Sequence, residues 1–285
     1  MGVLKRIFFT LIIIIAILAV GVIGGYIFVR SKYGIDLFNT VGQLKTLNKK
    51  VDEQQICPNA FTTDDMAQVQ ANVNASVDGL IKHDDDGYSV DFNISATEMK
   101  WAISLTDKQL GALAKTVIDE QMANKVTVND IEIPLEIKQI QISNVQANGN
   151  ATFNTVVKLD IRNLKNELKG FPFKYLKRFI PDFLYISSTV DVVKSEQPFE
   201  YTVSHNSLLI NSLNKEQSED FFKTLNVVIK MGTADSLNER IGSTILSVLV
   251  GSEDSTGLAY SLRPLGATDF KFTTDGTNNY FSIVK

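Results

Sequence analysis

The residues of this chain that could act as nucleophiles, bases or metal ligands are few and widely separated. Its two histidines, His83 and His205, lie in neither a His-x-Glu nor a His-Glu-x-x-His pattern. No nucleophile-elbow, P-loop or dinucleotide-binding glycine motif occurs. Ser212 and Lys215 have the spacing of a Ser-x-x-Lys nucleophile, but the motifs that accompany this pair in serine β-lactamases are missing. We therefore expect no catalytic residues and no enzyme activity, with a hydrolase as the alternative.

Two further candidates are a cysteine and an acidic loop. Cys57 is the only cysteine; it precedes a proline and has no histidine nearby in sequence, so a reactive thiol is not favoured. The acidic loop at 83–87 partly resembles a calcium loop. With Gly87 at the glycine position, however, Lys82 falls at the first ligand position and Asn93 at the last, where glutamate is required. An acidic turn is the favoured interpretation, calcium is the alternative, and we expect no metal and no cofactor.

A long apolar segment near the N-terminus predicts a membrane anchor. Residues 7–29 carry no charge and include 19 apolar side chains among 23 residues. As a helix they would be about 35 Å long, enough to cross a bilayer. Lys5 and Arg6 precede the segment, and Arg30 and Lys32 follow it. The apolar run is longer than that of a cleavable signal peptide, which remains the alternative, so we expect an uncleaved single-pass signal anchor.

The sequence gives two opposing indications of which side of the membrane the body occupies. More basic residues follow the anchor than precede it, which by itself would favour a cytoplasmic body. A six-residue basic tail before the apolar run is typical of a signal anchor, however, and long domains cross the membrane largely regardless of charge. We expect a cell-membrane location with an extracytoplasmic body.

The most distinctive patch after the anchor is a basic aromatic segment at residues 162–180. It carries six basic residues and one acidic residue, whereas residues 31–285 as a whole have 25 basic and 32 acidic residues. Basic side chains can meet lipid headgroups while aromatic rings enter the interface. The alternative is a structural helix whose aromatic side chains pack on the sheet. The predicted membrane-surface or lipid contacts are Lys169, Phe171, Phe173, Lys174, Tyr175, Lys177, Arg178 and Phe179. Nucleic acid is not an expected partner, because the acidic body would repel phosphate.

The hydrophobic pattern predicts an α+β fold, in which an N-terminal transmembrane helix precedes a mainly antiparallel, curved sheet packed with several helices. We divide the chain into a basic tail (1–6), the anchor (7–29), a stalk or linker with a short amphipathic helix (30–62) and one α+β domain (63–285). The stalk helix is expected near 35–51.

Local patterns then predict individual elements of the domain. A helix is expected from 63 to about 82, strands at 88–96 and 99–105, and a helix that begins with a capping box of Thr106 and Gln109. Between Ile131 and Ile142 the apolar residues first occupy odd-numbered and then even-numbered positions. This change predicts a β-bulge near Lys138 and Gln139. An Asn-Gly turn follows. The later elements are expected as strands at 183–193, 199–204 and 207–211, helices at 215–230 and 236–250, and terminal strands around Thr274-Asp275-Gly276.

The order of these features resembles a known group of proteins. An anchor, a strand leading into LTDKQLGALAK (105–115), long one-sided strands and FKYLKRFIPDFLYI (173–186) resemble the YpmS-like membrane-anchored proteins of Gram-positive bacteria and the tubular lipid-binding type of fold. The resemblance covers residues 90–230 and includes no diagnostic motif, so it transfers no site residue. It implies a curved sheet wrapped against a helix, with an apolar groove able to take an acyl chain.

Together these features favour a non-enzymatic envelope protein that binds a lipid or another apolar ligand near the membrane. The apolar groove is expected to include Trp101, Ile133, Phe153 and Leu159. The alternative is a structural or regulatory protein–protein interaction module, which would contact an envelope partner through 35–51 or 63–82. A continuous groove at the four named residues would favour lipid binding, and a packed interior there would favour the interaction module.

Overall fold

The computed structural model describes most of the chain after the predicted anchor. The described residues are 46–49, 51–92, 95–122, 125–128, 131–167, 181–220, 233–253 and 257–285. The predicted anchor at 7–29 and the first part of the expected stalk helix lie outside these ranges. Within the described ranges, no helix has both the length and the hydropathy of a membrane span.

The described chain alternates between helices and antiparallel strands. The helices with both ends described are α1 (Glu53–Ile56), α2 (Thr63–Ser76), α3 (Asp107–Met122), α4 (Arg162–Glu167), α5 (Ala234–Leu249) and α6 (Leu258–Ser261), followed by a 3-10 turn (Arg263–Leu265). Residues 215–220 are also helical, and the rest of the helix predicted at 215–230 lies outside the described residues. The strands are β1 (Ile81–Asp84), β2 (Gly87–Val90), β3 (Ile103–Thr106), β4 (Lys125–Val128), β5 (Ile131–Ser143), β6 (Ala151–Asp160), β7 (Phe183–Lys194), β8 (Tyr201–Ile210), β9 (Asp269–Thr274) and β10 (Asn279–Val284). The predicted α+β class is confirmed.

Five strands form the main sheet in the order β4-β5-β6-β7-β8, and every neighbouring pair is antiparallel. The register of β5 against β6 shifts between Ile137 and Gln139, which confirms the predicted bulge. The shift lets the apolar residues on both sides of the bulge face the same core. The strands expected at 199–204 and 207–211 are one strand, β8. Its register also shifts, because Val190 pairs with His205 and Thr189 with Ser207.

Two smaller sheets complete the fold: β3-β10-β9 and the hairpin β1-β2, all antiparallel. The terminal strands predicted around Asp275 are therefore confirmed as β9 and β10. The strands expected at 88–96 and 99–105 are much shorter than predicted. Their alternating apolar residues continue past Val90, but among the described residues of these two stretches only 87–90 and 103–106 belong to paired strands.

Helix α2 is also shorter than predicted. The apolar spacing continues to Leu80, yet the helix ends at Ser76. Gly79 has a positive φ of 77°, which ends helical geometry. The side chain of Asn74 then accepts a hydrogen bond from the Ile81 amide and donates one to the Ile81 carbonyl, both at 2.8 Å. These bonds start β1 where the sequence predicted continued helix.

One face of the main sheet packs against the helices and forms the core. Helix α3 packs on β5, α5 packs on β7 and β8, and α2 packs on α3. The capping box that was predicted at the start of α3 is present, since the Thr106 amide donates to the Gln109 side chain at 3.1 Å. The apolar side chains predicted on α2, including Met66, Val69 and Val73, are buried in this core. The apolar stripe of the segment predicted to face a partner is therefore used inside the domain.

Candidate functional site

The chain that follows the predicted anchor joins the body at one end of the main sheet. We call this the proximal end: it contains the end of β6, the start of β7 and the end of β8. The side chain of Asn211, just after β8, donates to the carbonyl of Leu47 at 3.0 Å. Leu47 is buried. Leu47 still packs in the main core, whereas residues 51–60 contact the other face of the sheet, at Val156 and Tyr185.

Helix α1 holds a carboxylate over three neighbouring strands at the proximal end. Asp52 caps the helix by accepting from the Gln54 amide at 3.1 Å. Glu53 then accepts from Lys138 on β5 at 2.7 Å. Its second oxygen accepts from the Tyr185 hydroxyl on β7 at 2.7 Å and from Lys158 on β6 at 3.4 Å. Three donors from three strands thus converge on one carboxylate.

This arrangement determines the charge state of Glu53. Burial alone would raise its pKa, but the hydrogen bonds from Lys138 and Tyr185 and the positive charges of Lys138 and Lys158 outweigh burial and lower the pKa to about 2. Burial and the bond to Glu53 raise the pKa of Tyr185, so its hydroxyl remains a donor. At neutral pH the site therefore holds a fully ionised carboxylate between two ammonium groups.

The remaining contacts of α1 with the sheet are apolar and few. Cys57 is buried in a small cluster with Val156 and Tyr185, separate from the main core. Val51 and Ile56 pack at the margin of this cluster. Burial raises the pKa of the Cys57 thiol to about 11. A buried, protonated thiol is a poor nucleophile, so Cys57 serves packing here.

The basic aromatic segment is attached to the same end of the sheet. The predicted lipid contacts of this segment all lie outside the described residues: Lys169, Phe171, Phe173, Lys174, Tyr175, Lys177, Arg178 and Phe179. Both flanks of the segment are described. The Ile161 amide donates to the Asp182 carbonyl at 3.0 Å, which closes the base of this connection. Lys158 and Arg162 lie 4.7 Å and 5.0 Å from the centre of the Phe183 ring.

Of the four residues predicted to line an apolar groove, three lie together in the main core and the fourth lies at the surface. Ile133, Phe153 and Leu159 are fully buried in the main core. Trp101 lies outside that core, and 54% of its surface is exposed. The backbone of Trp101 is held by Ser76, whose hydroxyl donates to the Trp101 carbonyl. The interior is packed at the first three positions.

The residues considered for catalysis do not assemble into a catalytic group. His83 stacks on Tyr88 with ring centres 4.1 Å apart. Ser212 is exposed, and Lys215 donates to the Asn206 carbonyl at 3.3 Å. In the acidic loop, Asp84 accepts from the Asp86 amide at 3.0 Å within a two-residue turn between β1 and β2. No group of three or more potential metal ligands occurs among the residues that the structure describes.

His205 belongs to a buried polar network that the sequence did not predict. Asn238 on α5 is fully buried and donates to the Thr189 carbonyl at 2.6 Å. Its amide lies 2.9 Å from Nδ1 of His205, and its oxygen accepts from the Ser188 hydroxyl at 2.7 Å. The sequence does contain a feature that indicates such a network, since an asparagine lies within the apolar stripe of the predicted helix. The network fixes α5 on β7 and β8 and leaves no free nucleophile.

A surface pocket of about 640 Å³ lies between α2, α3 and the β1-β2 hairpin. Phe61, Met66 and Tyr88 contribute apolar surface. Glu120 contributes a carboxylate that accepts from the Val90 amide at 2.9 Å, and burial raises its pKa. Lys115 is paired with Asp119 at the rim. The pocket is mixed in character and lies away from the four predicted groove residues.

Comparison with known proteins adds little to this geometry. No protein-family profile and no curated protein sequence matches the chain. A solved structure of a lipopolysaccharide binding protein aligns with 66% of this chain at 11% identity, with a TM-score of 0.24. The alignment spans 41% of that protein. At this level of similarity the alignment supports neither a fold nor a function.

Proposed function

We propose that this protein is a non-enzymatic, single-pass membrane protein of the cell envelope that binds anionic lipid at the bilayer surface through the proximal end of its body. The body lies outside the cytoplasm. The resemblance to YpmS-like membrane-anchored proteins supports the membrane anchoring in this proposal, whereas contact with lipid at the surface replaces the acyl-chain groove that the resemblance implies.

The observation that carries the proposal is that two chain segments meet at one end of the main sheet. Leu47, which follows the predicted anchor, is held by Asn211 at the end of β8. The basic aromatic segment leaves and re-enters the sheet at the same end, where Ile161 bonds to Asp182. The chain that follows the predicted anchor and the flanks of the basic aromatic segment therefore lie at the same end of the domain.

The length of the intervening chain limits how far this end can lie from the membrane. Residues 30–45 separate the predicted anchor from Thr46. Sixteen residues span at most about 55 Å when fully extended, and about 24 Å as a helix. Within that reach, basic side chains gain roughly 1 kcal/mol each near an anionic leaflet. Aromatic side chains between them can enter the interface.

The packed core determines which form of lipid binding is proposed. Because Ile133, Phe153 and Leu159 are fully buried, an acyl chain enclosed at these positions would have to displace core side chains. Contact with lipid at the surface of the proximal end requires no such displacement. We therefore place the lipid contact at that surface.

Vesicle flotation tests the proposal. Residues 31–285, purified without the anchor, should float with phosphatidylglycerol vesicles and remain in the dense fraction with phosphatidylcholine vesicles. Added salt should reverse the association, because exposed charges are screened. Equal recovery with both lipids would contradict the proposal.

The second candidate function is a protein–protein interaction module of the envelope. The packed interior at Ile133, Phe153 and Leu159 favours it, since a folded scaffold needs no internal ligand space. The surface pocket beside the first turn of α2 would be its contact site. The flotation experiment separates the two functions, because an interaction module has no preference for anionic vesicles.

A further inference from the structure

We propose that Glu53 occupies an anion site that takes the phosphate of an anionic phospholipid when α1 leaves the sheet. The inference deepens the proposed function and rests on it. It assigns the lipid phosphate to three named side chains of the described body, and it makes α1 a cover over that site.

The donors of the site suit a phosphate group. Lys138, Lys158 and the Tyr185 hydroxyl converge on the two oxygens of the Glu53 carboxylate at 2.7 to 3.4 Å. Two ammonium groups and a hydroxyl that point at one anion form charge-assisted hydrogen bonds, which are among the stronger polar contacts in proteins. All three donors belong to strands of the main sheet, so they stay in place if α1 moves.

The exchange of ligands conserves charge. A phosphodiester carries one negative charge, as the ionised Glu53 carboxylate does. Glu136 lies 3.2 Å from Lys138 and remains beside the site, so Lys138, Lys158 and Glu136 leave one net positive charge for the incoming anion. A singly charged phosphodiester therefore matches the site better than a doubly charged phosphate monoester.

The surface beneath α1 suits the glycerol and acyl region of the same lipid. Val156 and Tyr185 lie under the α1 segment, and Phe183 packs at the edge of this cluster. Removing α1 would expose these side chains next to the two lysines. An anionic phospholipid has a charged phosphate directly beside apolar chains, so one lipid covers both parts of the surface.

The cover is held weakly enough to be displaced. Helix α1 has four residues, none of them buried. Apart from Cys57, its apolar contacts come from partly buried side chains. The polar bonds from α1 itself to the sheet are those of Glu53, and just beyond the helix the Asn59 amide donates to the Gln139 side chain at 2.8 Å. A lipid phosphate competes for the donors that Glu53 uses. The site also lies at the proximal end, where the proposed membrane contact occurs.

Cys57 provides a direct reporter of this opening. It is the only cysteine of the chain, it caps the end of α1, and it is buried against Val156 and Tyr185 of the sheet. When the segment leaves, the thiol becomes accessible and its raised pKa of about 11 returns toward the ordinary value, so a water-soluble disulfide reagent reacts faster. The full chain is placed in nanodiscs of phosphatidylcholine alone or of equal parts phosphatidylcholine and phosphatidylglycerol.

We expect phosphatidylglycerol to raise the Cys57 labelling rate about tenfold, and inorganic phosphate added to phosphatidylcholine nanodiscs to have little effect. Glu53→Gln should label about as fast in phosphatidylcholine as the wild type does with phosphatidylglycerol, and should respond no further. Glu132→Gln, at the exposed partner of Lys125, is the matched control and should behave as the wild type. Circular dichroism and a labelling rate far below that of the denatured chain verify that each variant is folded.

Three outcomes would overturn the inference. Equal labelling in both nanodiscs would contradict a lipid site. Slow labelling of Glu53→Gln would show that Glu53 does not hold α1 on the sheet. Equal acceleration by inorganic phosphate would show that the site is not specific for lipid. Vesicle flotation separates these failures from failure of the proposed function. If the body still floats with anionic vesicles while Cys57 labelling is unchanged, only this inference fails.

Discussion

The side chain of Asn211 holds the carbonyl of Leu47 at 3.0 Å, and this contact joins the end of β8 to the chain that follows the predicted anchor. The same side chain accepts from the Tyr185 amide at 2.7 Å. The backbone of Asn211 has a positive φ of 47°, which asparagine tolerates better than most residues. One residue thus fixes β8, β7 and the incoming chain together.

We predict that Asn211→Ala destabilises the body by about 2 kcal/mol, because it leaves a buried amide and a carbonyl without partners. Equilibrium denaturation in urea measures the change. Asn144→Ala is the matched control, since Asn144 also has a positive φ, of 51°, but is exposed. Equal losses of stability in the two variants would show that the bonds of Asn211 to Leu47 and Tyr185 do not account for the effect.

A second prediction concerns Asp107, in the first turn of α3. Burial raises its pKa to about 6, although its carboxylate accepts from the Ile142 amide at 3.1 Å. Because the folded-state pKa lies above the ordinary value of 3.8, Asp107 favours folding while it is protonated. That contribution is complete below pH 3.8 and is lost as the pH rises through 6. Asp107→Asn keeps the acceptor without the charge, and should be more stable than wild type at pH 7 by about 1 kcal/mol, after allowance for solvent screening.

The measurement is the free energy of unfolding of both proteins between pH 4 and pH 7. The advantage of Asp107→Asn should grow across this window. Asp275→Asn is the control of opposite sign: the amide of Asn278, the Tyr280 hydroxyl and the amide of Thr277 lower the pKa of Asp275 to about 2. Its contribution is present above pH 3.8 and is lost as the pH falls through 2, so its effect should be constant in the upper part of the window. A pH-independent advantage of Asp107→Asn would contradict the role of burial.

A third prediction concerns the close approach of α5 to β7. A Cβ atom at Gly242 would lie 2.6 Å and 2.7 Å from the two γ carbons of Val190. Alanine is normally about 1 kcal/mol better than glycine inside a helix. Here the overlap should reverse the sign, so that Gly242→Ala destabilises the protein by about 1–3 kcal/mol. Thermal and urea denaturation measure this change.

The variant Val190→Ala provides the control, because it removes the γ carbons. In that background Gly242→Ala should become neutral or stabilising, and the double-mutant cycle should give a coupling energy of at least about 1 kcal/mol. A stabilising effect of Gly242→Ala in the wild-type background would contradict the contact.

The parts of the fold that could be predicted from sequence are those that local patterns encode. The parity change between Ile137 and Ile140 predicted the bulge of β5, because side chains alternate faces along a strand and only one face meets the core. Thr106 and Gln109 predicted the start of α3, because the capping bonds join residues three apart.

The end of α2 could not be predicted in this way. Val77 and Leu80 continue the helical spacing, and both are buried as predicted, but they reach the core from a turn and the start of a hairpin. The competing bonds of Asn74 to Ile81 outweigh the helical pattern. Side-chain bonds of this kind depend on a turn that periodicity alone does not reveal.

The donors at Glu53 were not predictable for a different reason. Lys158 and Tyr185 lie 105 and 132 residues further along the chain. They meet Glu53 only because β6 and β7 pair in a register that places Lys158 beside Tyr185. No local sequence pattern encodes where Lys158 and Tyr185 lie relative to α1, so the site could be found only in the folded chain.

The most direct test of lipid binding at the proximal end is reversal of charge in the basic aromatic segment. Lys174→Glu, Lys177→Glu and Arg178→Glu are combined in residues 31–285, and flotation with phosphatidylglycerol vesicles is compared with the wild type. The control combines Lys100→Glu, Lys108→Glu and Lys271→Glu, which are exposed positions outside that segment. Binding should be lost in the first variant and kept in the control. Unchanged flotation of the first variant, or equal loss in both, would contradict the account.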